Sequence, residues 1–133
     1  MNLNQLSSIS PIDGRYHSQT HQLSEYFSEY ALMKYRLIVE VEYFISLGEK
    51  KLFRMSSKLA AQLRELANEF SLNDAETIKH TEAVTNHDVK AVEYFLKGQL
   101  ERLGAGALKE WVHFGLTSQD INNTAIPLLW KDS

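Results

Sequence analysis

The sequence has 133 residues, 44% hydrophobic and 23% charged, which is the length and make-up of one globular domain able to bury its own core. It contains no cysteine, which excludes disulfides, thiolate zinc sites and cysteine nucleophiles and fits an intracellular setting. A formal net charge of −3 excludes the polycationic surface that nucleic acid demands, and no apolar run approaches the roughly 18 residues of a membrane helix.

The opening stretch, MNLNQLSSIS, has neither a basic nor an apolar region, so no secretory signal is expected. Residues 1 to about 22 are polar and read as an irregular but ordered arm, with Asp13-Gly14 as a turn signal after Pro11. Six glycines and two prolines leave few breakers thereafter, so long helices are favoured. A helix is predicted from Ser28, its N-cap, to Leu47, with Gly48 as its stop. Its apolar residues cover most of its girth, which predicts burial on several sides. A strand is the minor alternative for its β-branched stretch; the length argues against it.

From Ser56 to Phe70 the residues Leu59, Ala60, Leu63, Leu66, Ala67 and Phe70 form one helical stripe. Asn73 and Glu76 have the spacing of a capping box for a short helix to about Thr85. The next helix, Asp88 to Leu103, turns Val89, Val92, Leu96 and Leu103 inward and is broken by Gly104-Ala105-Gly106. Ala107 to His113 is a helical turn. Thr117 or Ser118 then caps a last helix in which Pro127 removes one amide and predicts a bend. That helix leaves Ile121, Leu128, Leu129 and Trp130 little of this chain to pack on, as if it belonged to a larger helical architecture. The reading is all-α.

Three stretches stand out chemically: Ser10 to Tyr16 (SPIDGRY), Thr81 to Lys97 (TEAVTNHDVKAVEYFLK) and His113 to Thr124 (HFGLTSQDINNT). On their residues alone each has a plain reading. Arg15 is a solvated cation and Tyr16 a core ring after a turn. Asn86, His87 and Asp88 are capping chemistry between helices, and Thr117 with Asp120 makes a capping box. One His-Asp pair offers too few ligands for a metal. His113 reads as structural, and His17, His21 and His80 as surface residues.

Taken in this order and spacing, the three stretches resemble the adenylosuccinate lyase family of the fumarase/aspartase superfamily. The resemblance covers essentially the whole chain but a third or less of the family's length. It implies the superfamily's N-terminal helical domain over residues 1–110, arm included, with 111–133 opening the central long-helix bundle. It implies a β-elimination, without metal or organic cofactor, that splits adenylosuccinate into AMP and fumarate and SAICAR into AICAR and fumarate. It further implies a cytoplasmic homotetramer with sites built from three subunits, and no nucleic-acid or membrane partner.

By the same resemblance Arg15 and Tyr16 contact the phosphate and ribose, where a guanidinium fork suits phosphate oxygens. Asn86, His87 and Asp88 bind substrate at a helix entrance whose free amides favour anions. His87 assists or orients the acid step, kept neutral by that positive helix end; Asp88 either fixes its tautomer or caps the helix. Thr117 and Ser118 bind the fumarate-side carboxylate. Asn122 and Asn123 face either the site or water. The family's acid histidine and its Ser-Ser-x-Met-Pro base loop are not in this stretch, since Ser7-Ser8 and Ser56-Ser57 lack the Met-Pro. Residues 1–133 alone are therefore expected to be inactive. The alternatives are another fumarate-releasing lyase, of the argininosuccinate type, which Arg15-Tyr16 disfavours, and a non-enzymatic helical interaction module.

Overall fold

A computed structural model describes residues 4–133, and every regular element in it is helical. The first three residues of the predicted arm lie outside the described ones. The arm is irregular only to Tyr16. Short helical turns follow: α1 (His17–Thr20), a 3-10 turn His21–Leu23 and α2 (Ser24–Phe27). The Thr20 hydroxyl donates to the Ile12 carbonyl at 2.7 Å and ties the arm to α1.

The long helix α3 spans Glu29–Glu49, and the Ser28 side chain accepts from the Ala31 amide as its N-cap. Gly48 does not stop it. The helix runs through Gly48, and Lys51 takes the left-handed conformation instead (φ 64°). Gly48 serves packing: a Cβ there would lie 2.9 Å from Met55 Cε and 3.0 Å from Met55 Cβ. Helix α4 (Ser57–Asn68) is capped by Ser56 and buries Leu59, Ala60, Leu63 and Ala67, the predicted stripe. Phe70 is buried just beyond its end.

Helix α5 (Leu72–Thr85) starts earlier than predicted. The capping box is Ser71 with Asp74, not Asn73 with Glu76, because Ser71 is the residue with extended backbone. Helix α6 (Asp88–Arg102) buries Val89, Val92, Phe95, Leu96 and Leu100, while Leu103 lies just past its end and is half-buried. A 3-10 turn, Gly106–Trp111, leads to α7 (Ser118–Asp132), which passes through Pro127.

Helix α3 is the centre. On one side Leu37, Val41, Phe44 and Ile45 meet Leu63, Ile78, Leu96 and Leu100 of α4, α5 and α6. Complete burial of each such side chain contributes about 1.5–3 kcal/mol. On the other side Ala31 and Tyr35 meet Ala125 and Leu129 of α7. The last helix therefore has a partner within the chain: Ile121, Ala125 and Leu129 are buried, Leu128 is half-buried and Trp130 is exposed. The apolar girth of α3, which serves two cores at once, supplies the surface that the one-dimensional reading did not find for α7. Among the described residues no helix is long and apolar enough to cross a membrane.

Candidate functional site

Arg15 and Tyr16 follow a tight turn in which the Gly14 amide donates to the Ser10 carbonyl at 3.0 Å. A Cβ on Gly14 would come 2.8 Å from the Gln5 carbonyl oxygen, so only glycine lets the arm fold this closely. Both side chains are exposed, and the guanidinium of Arg15 lies 5.8 Å from the Tyr16 ring centroid. Tyr16 is thus no core ring.

Asn86 and His87 form the whole connection between α5 and α6. Asn86 ends α5 in the left-handed conformation (φ 52°), which asparagine tolerates better than most residues. His87 is the N-cap of α6: its Nδ1 accepts from the Lys90 amide at 3.2 Å. An accepting Nδ1 carries no proton, so the ring proton sits on Nε2 of a half-exposed side chain. The Lys90 amide, not Asp88, sets this tautomer; Asp88 Oδ1 is 3.9 Å from Nδ1.

Asp88 has a different partner. Its Oδ2 takes an ion pair from Arg36 at 2.7 Å, and its Oδ1 accepts from the Val89 amide at 2.8 Å. Burial would raise this carboxyl; the Val89 amide and the Arg36 charge outweigh it and hold Asp88 below the usual carboxylate range. Arg36 is itself buried, and its Nε donates to Asn122 Oδ1 at 2.9 Å. One guanidinium on α3 therefore joins the entrance of α6 to the first turns of α7. Asn122 faces this bridge, whereas Asn123 accepts from Gln119 at 2.8 Å on the surface.

At the entrance of α7 the predicted capping box of Thr117 and Asp120 is present. Asp120 Oδ2 accepts from the Thr117 amide at 2.7 Å and from its hydroxyl at 2.9 Å. The Thr117 amide and hydroxyl bonds hold Asp120 below its ordinary carboxyl value. Thr117 is exposed and Ser118 half-buried, so this entrance, like that of α6, opens to solvent. The structure thus brings together two of the three predicted segments, through Asp88, Arg36 and Asn122. The described contacts of Arg15 lead to Tyr16 and not to that bridge.

Sequence reasoning missed Arg36, Glu40 and Glu93, the buried charged residues of the chain's described part. Glu40 Oε1 lies 2.5 Å from His113 Nδ1, and Glu93 Oε1 lies 3.7 Å from His113 Nε2. Lys90 Nζ reaches Glu93 Oε2 at 2.8 Å. Burial raises the Glu40 carboxyl, and the bond from His113 draws it back. The available signal was spacing: Arg36 and Glu40 stand four apart, on one face of a largely apolar helix. Among the described residues no group of three or more His, Cys, Asp and Glu side chains is arranged to hold a metal ion.

Comparison with known proteins bears on this arrangement. A family profile described as "Lyase" matches residues 14–133. The adenylosuccinate lyase of Dictyostelium discoideum is 52% identical, over 95% of this chain and 28% of its own length. That of Legionella pneumophila (strain Corby) is 44% identical over the whole chain and 30% of its own length. That of Escherichia coli (strain K12) is 41% identical over 98% of the chain and 30% of its own length. The chain thus spans less than a third of the curated relatives it matches. With an all-helical fold and a profile match over nearly its whole length, the chain belongs to the lyase family.

Proposed function

We propose that this chain is the N-terminal part of an adenylosuccinate lyase and supplies substrate-gripping groups to a site completed by the rest of the protein. The reaction is the β-elimination of fumarate from adenylosuccinate, leaving AMP, and from SAICAR, leaving AICAR. It requires a carbanion beside a carboxylate to be stabilised and a nitrogen leaving group to be protonated. Ser118 and the entrance of α7 receive the fumarate-side carboxylate. Asn86 and His87 meet the substrate at the entrance of α6, with the Nε2–H of His87 as a neutral donor that orients it. Asp88 acts from behind, through Arg36. Arg15 and Tyr16 grip the phosphate and ribose from the arm. No metal or cofactor takes part, the working protein is a cytoplasmic homotetramer, and residues 111–133 open its central helical bundle.

The observation that carries this reading is the Asp88–Arg36–Asn122 bridge. Two solvent-open helix entrances, each rich in anion-binding chemistry, are held to one buried cation rather than left to pack independently. A plain interaction module has no need of that charge in its interior.

The test is fumarate release by the longer protein that contains this chain. Adenylosuccinate and SAICAR are expected to yield fumarate, argininosuccinate is not, and residues 1–133 alone yield none. Ser118→Ala in the longer protein is expected to lower kcat/KM about a hundredfold, the usual cost of one oxyanion donor. A longer protein that releases no fumarate from either succinylated nucleotide refutes the proposal.

A further inference from the structure

Helix α3 presents three polar side chains at helical spacing, Arg36, Glu40 and Tyr43, and each grips the segment that leads into or follows the entrance of α7. Arg36 binds Asn122. Glu40 binds the ring of His113. The Tyr43 hydroxyl donates to the Phe114 carbonyl at 2.8 Å. Between these points the chain makes a turn closed by the Leu116 amide on the His113 carbonyl at 3.1 Å. His113 stands in the left-handed region there (φ 60°), an uncommon conformation for a non-glycine residue. Something must hold it, and the side chain that does so is Glu40.

Glu40 is a poor choice for packing. It is fully buried, and among the described residues its second oxygen, Oε2, accepts no hydrogen bond. A helix shaped for stability alone would carry an apolar residue at this position. The bond to His113 is what the buried carboxylate achieves.

We infer that Glu40 is a positioning residue for the Thr117–Ser118 helix entrance: through His113 it fixes the turn that decides where α7 begins. His113 Nδ1 donates to Glu40, which leaves Nε2 toward Glu93. The charged groups around the ring are Glu40 from α3, Glu93 with its partner Lys90 from α6, and Asp120 from α7. A change in the proton held between Glu40 and His113 therefore reaches the amides of Gly115 to Ser118. The consequence for catalysis rests on the carboxylate role proposed above for Ser118 and the entrance of α7; the clamp itself does not.

The experiment is nuclear magnetic resonance on the isotope-labelled 133-residue chain, followed by kinetics on the longer protein. In the wild type a slowly exchanging Nδ1–H of His113 is expected, and the Gly115 to Ser118 amides should titrate with the same midpoint as the His113 ring. Glu40→Gln should abolish the shared midpoint. Tyr43→Phe, which frees only the Phe114 carbonyl, should keep it. Amides that ignore the ring in the wild type, or a Glu40→Gln chain that keeps the midpoint, overturn the inference. If Glu40→Gln does not fold, the wild-type titration alone decides. In the longer protein Glu40→Gln should raise KM for adenylosuccinate about tenfold, more than it lowers kcat. An intact clamp by resonance with an unchanged KM overturns the link to the carboxylate site and leaves the clamp standing.

Discussion

Replacing Arg36 by methionine tests the bridge between the two helix entrances most directly. Methionine keeps the apolar stem of the buried side chain, so the packing loss is small and the polar loss dominates. Two bonds disappear: the 2.7 Å ion pair to Asp88 and the 2.9 Å bond to Asn122. A charge-assisted bond contributes about 1.5–3 kcal/mol. The Asp88 side chain is 50% exposed and regains water when abandoned, so the lower end applies. The bond to Asn122 adds about 1 kcal/mol. A loss of about 2–3 kcal/mol follows. For 133 residues, each contributing about 2.1 cal/mol/K to the entropy of unfolding, the midpoint should fall by about 7–11 °C. Arg36→Lys should recover part of this, because an ammonium lacks the fork that serves two partners. The assay is thermal unfolding by circular dichroism, with Asn122→Ala added to both backgrounds. Asn122→Ala should cost about 1 kcal/mol with Arg36 present and almost nothing without it. Equal costs in both backgrounds, or an Arg36→Met midpoint within about 2 °C of wild type, would refute the reasoning.

Two further predictions concern α3. Burial, with the bond to Asp132 adding to it, pushes the Tyr35 phenol up to about 12 from its ordinary 10. A folded value above the unfolded one means stability that is full below about pH 10 and lost as the pH rises through about 12; Tyr35→Phe should flatten that alkaline loss in pH-resolved unfolding, and an unchanged profile would show that another group controls it. Gly48→Ala should destabilise by about 1 kcal/mol despite alanine's better helix propensity, because the new Cβ meets Met55 Cβ, which cannot swing away. Denaturant unfolding should show a smaller penalty for Gly48→Ala in a Met55→Gly background, which removes that Cβ; an equal penalty would place the strain elsewhere.

The helices and most of their starts were legible because local interactions set them. Ser28, Ser56 and Thr117 each cap a helix through a bond to an amide three residues on, so the information lies within one turn. Spacing also exposed the apolar stripe of α4 and the girth of α3. Two local readings went astray where two candidates competed within a few residues. Ser71 won over Asn73 as the cap of α5, and Gly48 was kept for contact with Met55 rather than to end α3.

The candidate site was legible in part. The turn at Asn86-His87 and the entrance at Thr117-Ser118 are short-range features, and the sequence by itself determined both, along with an all-α chain and the exclusion of thiol chemistry. Only the tertiary structure decided that they belong together. Arg36 meets Asn122 across a separation of 86 residues, and Glu40 meets His113 across 73. Charges four apart on a helix indicate a shared face, but not what that face will meet. That depends on how α6 and α7 pack against α3, which many small apolar contacts settle at once and no single motif records.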